Sequence, residues 1–241
     1  MSCRSGAPNW LEGAGLNAAD EFFQAEQNAR VVRNSESYYR AMFHGRVSTW
    51  NLRDQHMAET IEALIGHLRQ RRTVPRVVVW AHNSHVGGAR ATSMSQEGEF
   101  NLGQLLRERL GRGAFLIGMS TFSGTVTAAG RWDAAARRQT VRPGLPGSWE
   151  EVFHGVGMSR FVLILRDNPR ITSAFYLPRL QRAIGVIYKP HTERASHYFH
   201  TSLPRQFDAI LHIDQTTAVT PLDSAAPLNA GELPATYPVN E

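Results

Sequence analysis

Two imidazoles three residues apart, His82 and His85, follow an apolar run, Val77-Val78-Val79-Trp80-Ala81, and precede Gly87-Gly88. Histidine titrates near working pH, so such a pair suits general acid–base work on water or polarisation of a carbonyl. The plain alternative for either is a packed structural histidine, against which Asn83 and the glycines beside them favour a site loop. A second polar cluster, Thr192 to His200, carries Glu193 and His197. Upstream, Arg53 and His56 are three apart and share one side of a predicted helix, where they either point at a site or form a solvated face.

Three chemistries fit these residue types. In the first, one imidazole activates water against an ester while a second imidazole or an arginine steadies the oxyanion. In the second, His82 and His85 join His197, Glu99 or Glu193 around a metal, although no His-Glu-x-x-His pattern is present. In the third, a serine is the nucleophile, but the chain has no Gly-x-Ser-x-Gly elbow and Ser84 lacks a strand-turn-helix frame.

The elements that must position these residues read as α/β. Val77 to Ala81 is β-branched and apolar, which predicts a buried strand ending in the site loop. In open α/β sheets ligands bind beyond the carboxyl ends of strands, where His82 and His85 would stand. The glycines would let that loop turn sharply and approach a substrate. Helical patterning runs from Asn17 to about Met42, then from Ser48 or Thr49, either able to cap, to about Gln70. Met57, Ile61, Leu64, Ile65 and Leu68 on the second helix should face a core. A helix over Asn101–Leu110, ended by Gly111 or Gly113, and one from Ser148 follow the same logic. Leu177 to Arg182 also reads as helical. Further strands are expected at Ala114–Met119, Phe161–Leu165, Ala183–Tyr188 and Ala209–Ile213, with an extended piece or hairpin over Ser120–Ala129 and a long loop over 130–146. The expected fold is a small, largely parallel central sheet surrounded by helices. Its domain would span residues 17–223, between a disordered segment at 1–16 and a flexible tail at 224–241.

The chain has 241 residues and a formal charge of +5. Lys189 is its only lysine, and the arginines are spread among acidic residues rather than gathered into a basic tract, so nucleic acid is not an expected partner. Cys3 is the only cysteine, which excludes an internal disulfide and a cysteine-based zinc cage. No stretch has the length and apolarity of a membrane span, and a cytoplasmic protein is the expectation.

Four stretches together resemble the erythromycin esterase family. They are Trp50-Asn51-Leu52-Arg53-Asp54-Gln55-His56-Met57-Ala58, Trp80-Ala81-His82-Asn83-Ser84-His85-Val86-Gly87, Gly98-Glu99-Phe100-Asn101-Leu102-Gly103 and Glu193-Arg194-Ala195-Ser196-His197-Tyr198-Phe199. The resemblance runs in order from about Ala19 to Asp223. It implies helices around a small sheet and hydrolysis of a macrolide lactone or related ester by water, without a metal or other cofactor. It places His82 and His85 as catalytic, with Arg53, His56, Asn83, Glu99, Glu193 and His197 on the substrate side. Family members also carry an upstream Gly-Glu-x-x-His-Gly motif that this sequence lacks, so the chain resembles the carboxyl-terminal part of a family enzyme. Glu151-Val152-Phe153-His154-Gly155 only mimics that motif. The expected partners are a small-molecule ester and either a second copy of the chain or a separate amino-terminal half, and activity of the chain alone is in question. A metal-dependent hydrolase or peptidase and a non-catalytic ligand-binding module are the alternatives.

Overall fold

A chain that alternates helical and extended segments has to bury one face of each, and here it does so in two compact units divided between Val79 and Trp80. The computed structural model describes residues 15–70 and 74–220. Of the segment expected to be disordered, 1–16, residues 15 and 16 begin a helix and the rest lies outside the described residues, as does the tail from residue 224.

The first unit is a helical hairpin. Its α1 (Gly15–Ala41) and α2 (Arg46–Arg69) are joined by a short 3-10 turn and Gly45, whose φ of 107° only glycine adopts readily. Neither expected cap serves α2, because the helix starts one turn earlier at Gly45 and no side chain caps it. Side-chain pairs tie the two helices. His67 bonds Asp20 at 2.6 Å and stacks on Phe23, and His56 Nδ1 accepts from Asn34 Nδ2 at 2.6 Å. Asp54 and Ala58 are the fully buried positions of α2, with the expected apolar residues half-buried around them.

Among the described residues the second unit holds three small sheets, two of them mixed and one antiparallel. Strands β1 (Ile117–Ser120), β4 (Arg160–Ile164) and β7 (Ala209–Ile213) form the first in the order β1-β7-β4. Within it β1 and β7 are parallel, and β4 runs antiparallel to β7. Strands β2 (Ser123–Ala128) and β3 (Arg137–Val141) form an antiparallel hairpin, which the short β8 (Gln215–Thr216) joins in parallel. Strand β5 (Arg179–Arg182) pairs antiparallel with β6 (Tyr198–Thr201). Among the described strands parallel pairing is limited to β1–β7 and β2–β8, and the expected largely parallel sheet gives way to mixed ones.

Alternation sorts the first sheet. Gly118, Ile210 and His212 lie on its covered face beside Phe153 and Phe207, whereas Ile117, Met119, Val162 and Ile164 on the other face stay exposed. Around the sheets sit α4 (Leu102–Leu110), α5 (Trp149–His154), α6 (Pro169–Ala174) and short turns. Asn101 and Ser148 cap α4 and α5 through their side chains, and the left-handed Gly111 ends α4.

Other expectations fail for one reason, that a strand exists only where a neighbour completes its hydrogen bonds. Val77–Ala81 is extended but paired with nothing among the described residues, and Val78 and Trp80 are about 90% exposed (91% and 89%). The loop expected over 130–146 contains β3, whose polar residues pair with β2 at the surface. Leu177–Arg182 is strand rather than helix from Arg179 on, and Ala183–Tyr188 is irregular apart from a bridge between Ile187 and Ala129.

Candidate functional site

The His82–Gly88 stretch folds into a single helical turn, α3 (Asn83–Val86), with His82 as its N-cap. The His82 ring accepts at Nδ1 from the Ser84 N–H at 3.2 Å, and Ser84 Oγ lies 2.8 Å from the same nitrogen. Its Nε2 lies 3.0 Å from the Ile184 carbonyl oxygen, which can only accept. The proton therefore sits on Nε2, and both ring nitrogens are engaged. Burial holds the His82 imidazole below its ordinary value, and neighbouring His85 adds to that.

Asn83 docks the turn on the open edge of β1. Its Oδ1 accepts from the Met119 N–H at 2.9 Å and its Nδ2 donates to the Met119 carbonyl at 2.6 Å, so one side-chain amide replaces a strand partner. From the other side, Asn101 Nδ2 donates to the carbonyls of Ser84 at 2.7 Å and Gly87 at 2.6 Å. Its Oδ1 accepts from the N–H groups of Ala89 and Gln104. His85 is half-buried in the middle of this braced turn.

The glycines act by close packing rather than by sharp turning. Gly87 has an ordinary φ of −79°, but a Cβ there would come within 2.7 Å of the Phe207 ring. At Gly103 a Cβ would meet the Val86 carbonyl oxygen at 2.2 Å, so α4 reaches the α3 backbone only through glycine.

The segment that receives His82 is held by a buried charged cluster. Arg182 Nη1 donates to Glu193 Oε1 at 3.1 Å and to the Arg142 carbonyl at 2.7 Å. Its Nη2 donates to the carbonyls of Thr121 at 2.6 Å and Phe122 at 2.7 Å. Glu193 Oε1 also accepts from the Tyr188 hydroxyl at 2.9 Å, and the Arg182 N–H donates to Glu150 Oε1. Burial raises the pKa of Glu150, which favours its neutral acid. Glu193 opens the short helix α7 (Glu193–Ser196), and His197 follows it. His197 Nε2 accepts from the Lys189 N–H at 2.9 Å, its carbonyl accepts from the Ala183 N–H at 2.8 Å, and burial lowers its pKa.

A cavity of about 280 Å³ opens beside this cluster, with Arg142, His191 and Arg194 on its walls. Among the described residues, no three His, Cys, Asp or Glu side chains are grouped to hold a metal ion.

The residues singled out in the sequence divide between the units. Arg53 and His56 lie on α2, the former with its guanidinium over the Trp50 ring at 5.3 Å. His82, Asn83, His85, Glu99, Glu193 and His197 lie in the second unit, where Ile184 and its neighbours link His82 to the Glu193–His197 cluster. Glu99 is buried close in sequence to Asn101. Sequence reasoning missed Arg182, Tyr188 and Glu150. Nothing local marks Arg182 among so many arginines, because its acceptors are up to 61 residues away.

The family model for erythromycin esterase matches residues 5–216. The chain belongs to the erythromycin esterase family. A Bacillus cereus protein of known structure superposes with a TM-score of 0.65 at 22% identity, over 86% of this chain and 48% of its own. A succinoglycan biosynthesis protein gives 0.58 at 24% identity, over 83% of this chain and 51% of its own. An erythromycin esterase variant in its open conformation gives 0.49 at 18% identity, over 74% and 41%. The chain thus spans about half the length of these solved relatives, and the first two share its fold. No helix among the described residues is long and apolar enough to cross a membrane.

Proposed function

We propose that the chain is the histidine-bearing portion of an esterase-type hydrolase that directs water at a carboxylic ester, a macrolide lactone or a related substrate. The observation that supports this reading most is the division of labour in α3. His82 has both ring nitrogens engaged and orients the turn, and the reading gives the chemistry to His85, half-buried three residues on in the same turn. In this reading His85 takes a proton from the attacking water, and the reaction needs no metal. The reading concerns the whole family fold, of which this chain spans about half the length.

The test is hydrolysis of erythromycin and of p-nitrophenyl esters by the purified chain, followed by mass spectrometry for the added water. His85→Ala is expected to lower any turnover at least 100-fold, the scale of a general base. Turnover insensitive to His85→Ala would show that the assignment is wrong. Saturable macrolide binding without product would favour the ligand-binding alternative. Stoichiometric metal retained through purification and lost with His85→Ala would favour the metal-dependent one.

A further inference from the structure

Two of the anchors of the α3 turn are distant in sequence and fix His82 and Asn83, namely Met119 at the carboxyl end of β1 and the Ile184 carbonyl beyond β5. These belong to separate segments, and no ladder pairs β1 with β5. The Arg182 guanidinium joins them, since it lies two residues before Ile184 and grips the Thr121 and Phe122 carbonyls two and three residues after Met119. Its remaining bonds, to the Arg142 carbonyl and Glu193, fix the guanidinium plane itself.

We propose that Arg182 is a positioning residue for the histidine turn, which sets the distance between the Met119 and Ile184 anchors and thereby the orientation of His82. Arginine suits this task and lysine does not, because a planar fork reaches several acceptors in fixed directions while an ammonium offers one compact centre. Four acceptors on four residues surround this guanidinium, whose side chain is only 2% exposed. Glu193 and Tyr188 act through it by holding one arm of the fork. Without the fork, the Ile184 carbonyl is free to drift from His82 Nε2. The ring would then exchange its single tautomer for a mixture, and α3 would carry His85 with it.

The functional consequence rests on the esterase reading, but the test does not need turnover. Long-range proton–nitrogen spectra of the histidine-labelled chain report the tautomer and titration of His82, assigned with His82→Gln. The wild-type ring is expected as a fixed Nε2–H tautomer. In Arg182→Met, provided the amide spectrum stays dispersed, the two ring nitrogens should move toward averaged positions and the titration midpoint should fall further, because the Ile184 bond that favours the charged ring is lost. Arg182→Lys keeps a charge for Glu193 but not the fork, and should shift His82 in the same direction by a smaller amount. It is the decisive variant if Arg182→Met does not fold. Arg107→Ala, at the far end of β1, should leave the His82 signals in place. An unmoved His82 in a folded Arg182 variant, or an equal shift in Arg107→Ala, would overturn the proposal. A silent esterase assay with a shifted His82 would instead count against the esterase reading alone.

Discussion

The β1–β7 pair carries a buried arginine–carboxylate clamp near each end, and the two are built on different plans. At the amino end, Asp208 takes both oxygens into bonds with Arg107 and Arg166 and also accepts the Leu116 N–H at 2.7 Å. Arg166 further bonds the Ala114 carbonyl, and its side chain and that of Arg107 keep partial contact with water, at 16% and 34% exposure. Toward the carboxyl end, Arg182 and Glu193 are each only 2% exposed, and Glu193 Oε2 has no hydrogen-bond partner among the described residues. Desolvating two charges while leaving an acceptor unpaired is an inefficient way to gain stability. The amino-end clamp therefore reads as a brace for the sheet, and the other as a device that trades stability for the placement of loops beside α3.

The contrast breaks most readily at Asp208. Asp208→Ala strands two guanidinium groups and the Leu116 N–H, and should cost about 3–5 kcal/mol in denaturant unfolding. A loss under about 1 kcal/mol would erase the distinction between the ends. Asn101→Ala removes the amide that gathers Ser84, Gly87 and Ala89, and should cost about 2–3 kcal/mol through the buried groups left unpaired. Amide exchange should then accelerate from Val86 to Ala89 while β7 stays protected. Arg107→Ala should cost less than about 1 kcal/mol, because its side chain is about a third in water and Arg166 still serves Asp208. A loss above about 2 kcal/mol would mean that Asp208 depends on both arginines.

The most gradual effect is that of pH. Burial lowers the pKa of His82, His197 and His212, so between the folded values and 6.5 the unfolded chain binds more protons than the folded one. Stability from these groups is complete above 6.5 and should fall as pH drops through their folded values. His82→Gln should flatten that acid limb in a urea series run across pH. An unchanged limb would mean that the His82 site does not resist the imidazolium.

What could be read locally was read well. Asn101 before an amphipathic run announces the cap of α4, Ser148 does the same for α5, and the apolar Ala209–Ile213 becomes β7. The histidine turn was also located, from two imidazoles flanked by an amide and glycines. Failures gathered where an element's identity depends on a distant neighbour. Val77–Ala81 has strand composition but pairs with no strand among the described residues, and β3 has loop composition but finds β2. Arg182 was invisible because a buried arginine and an exposed one are written with the same letter.

By itself the sequence determined the mixed helix-and-strand class of the fold, the helices that begin at Asn101 and Ser148, the place of the histidine turn and the family. Only the tertiary structure decided what engages the His82 imidazole, since the Ile184 carbonyl that claims its Nε2 is 102 residues away. It likewise made Gly87 a contact point rather than a sharp turn, set Gly103 against the Val86 carbonyl, and brought the carbonyls of Thr121, Phe122 and Arg142 around one guanidinium. The physical reason is the same in each case. Propensity, capping and apolar period act within a few residues, whereas hydrogen-bond satisfaction of a buried polar group is settled by whatever the folded chain places against it.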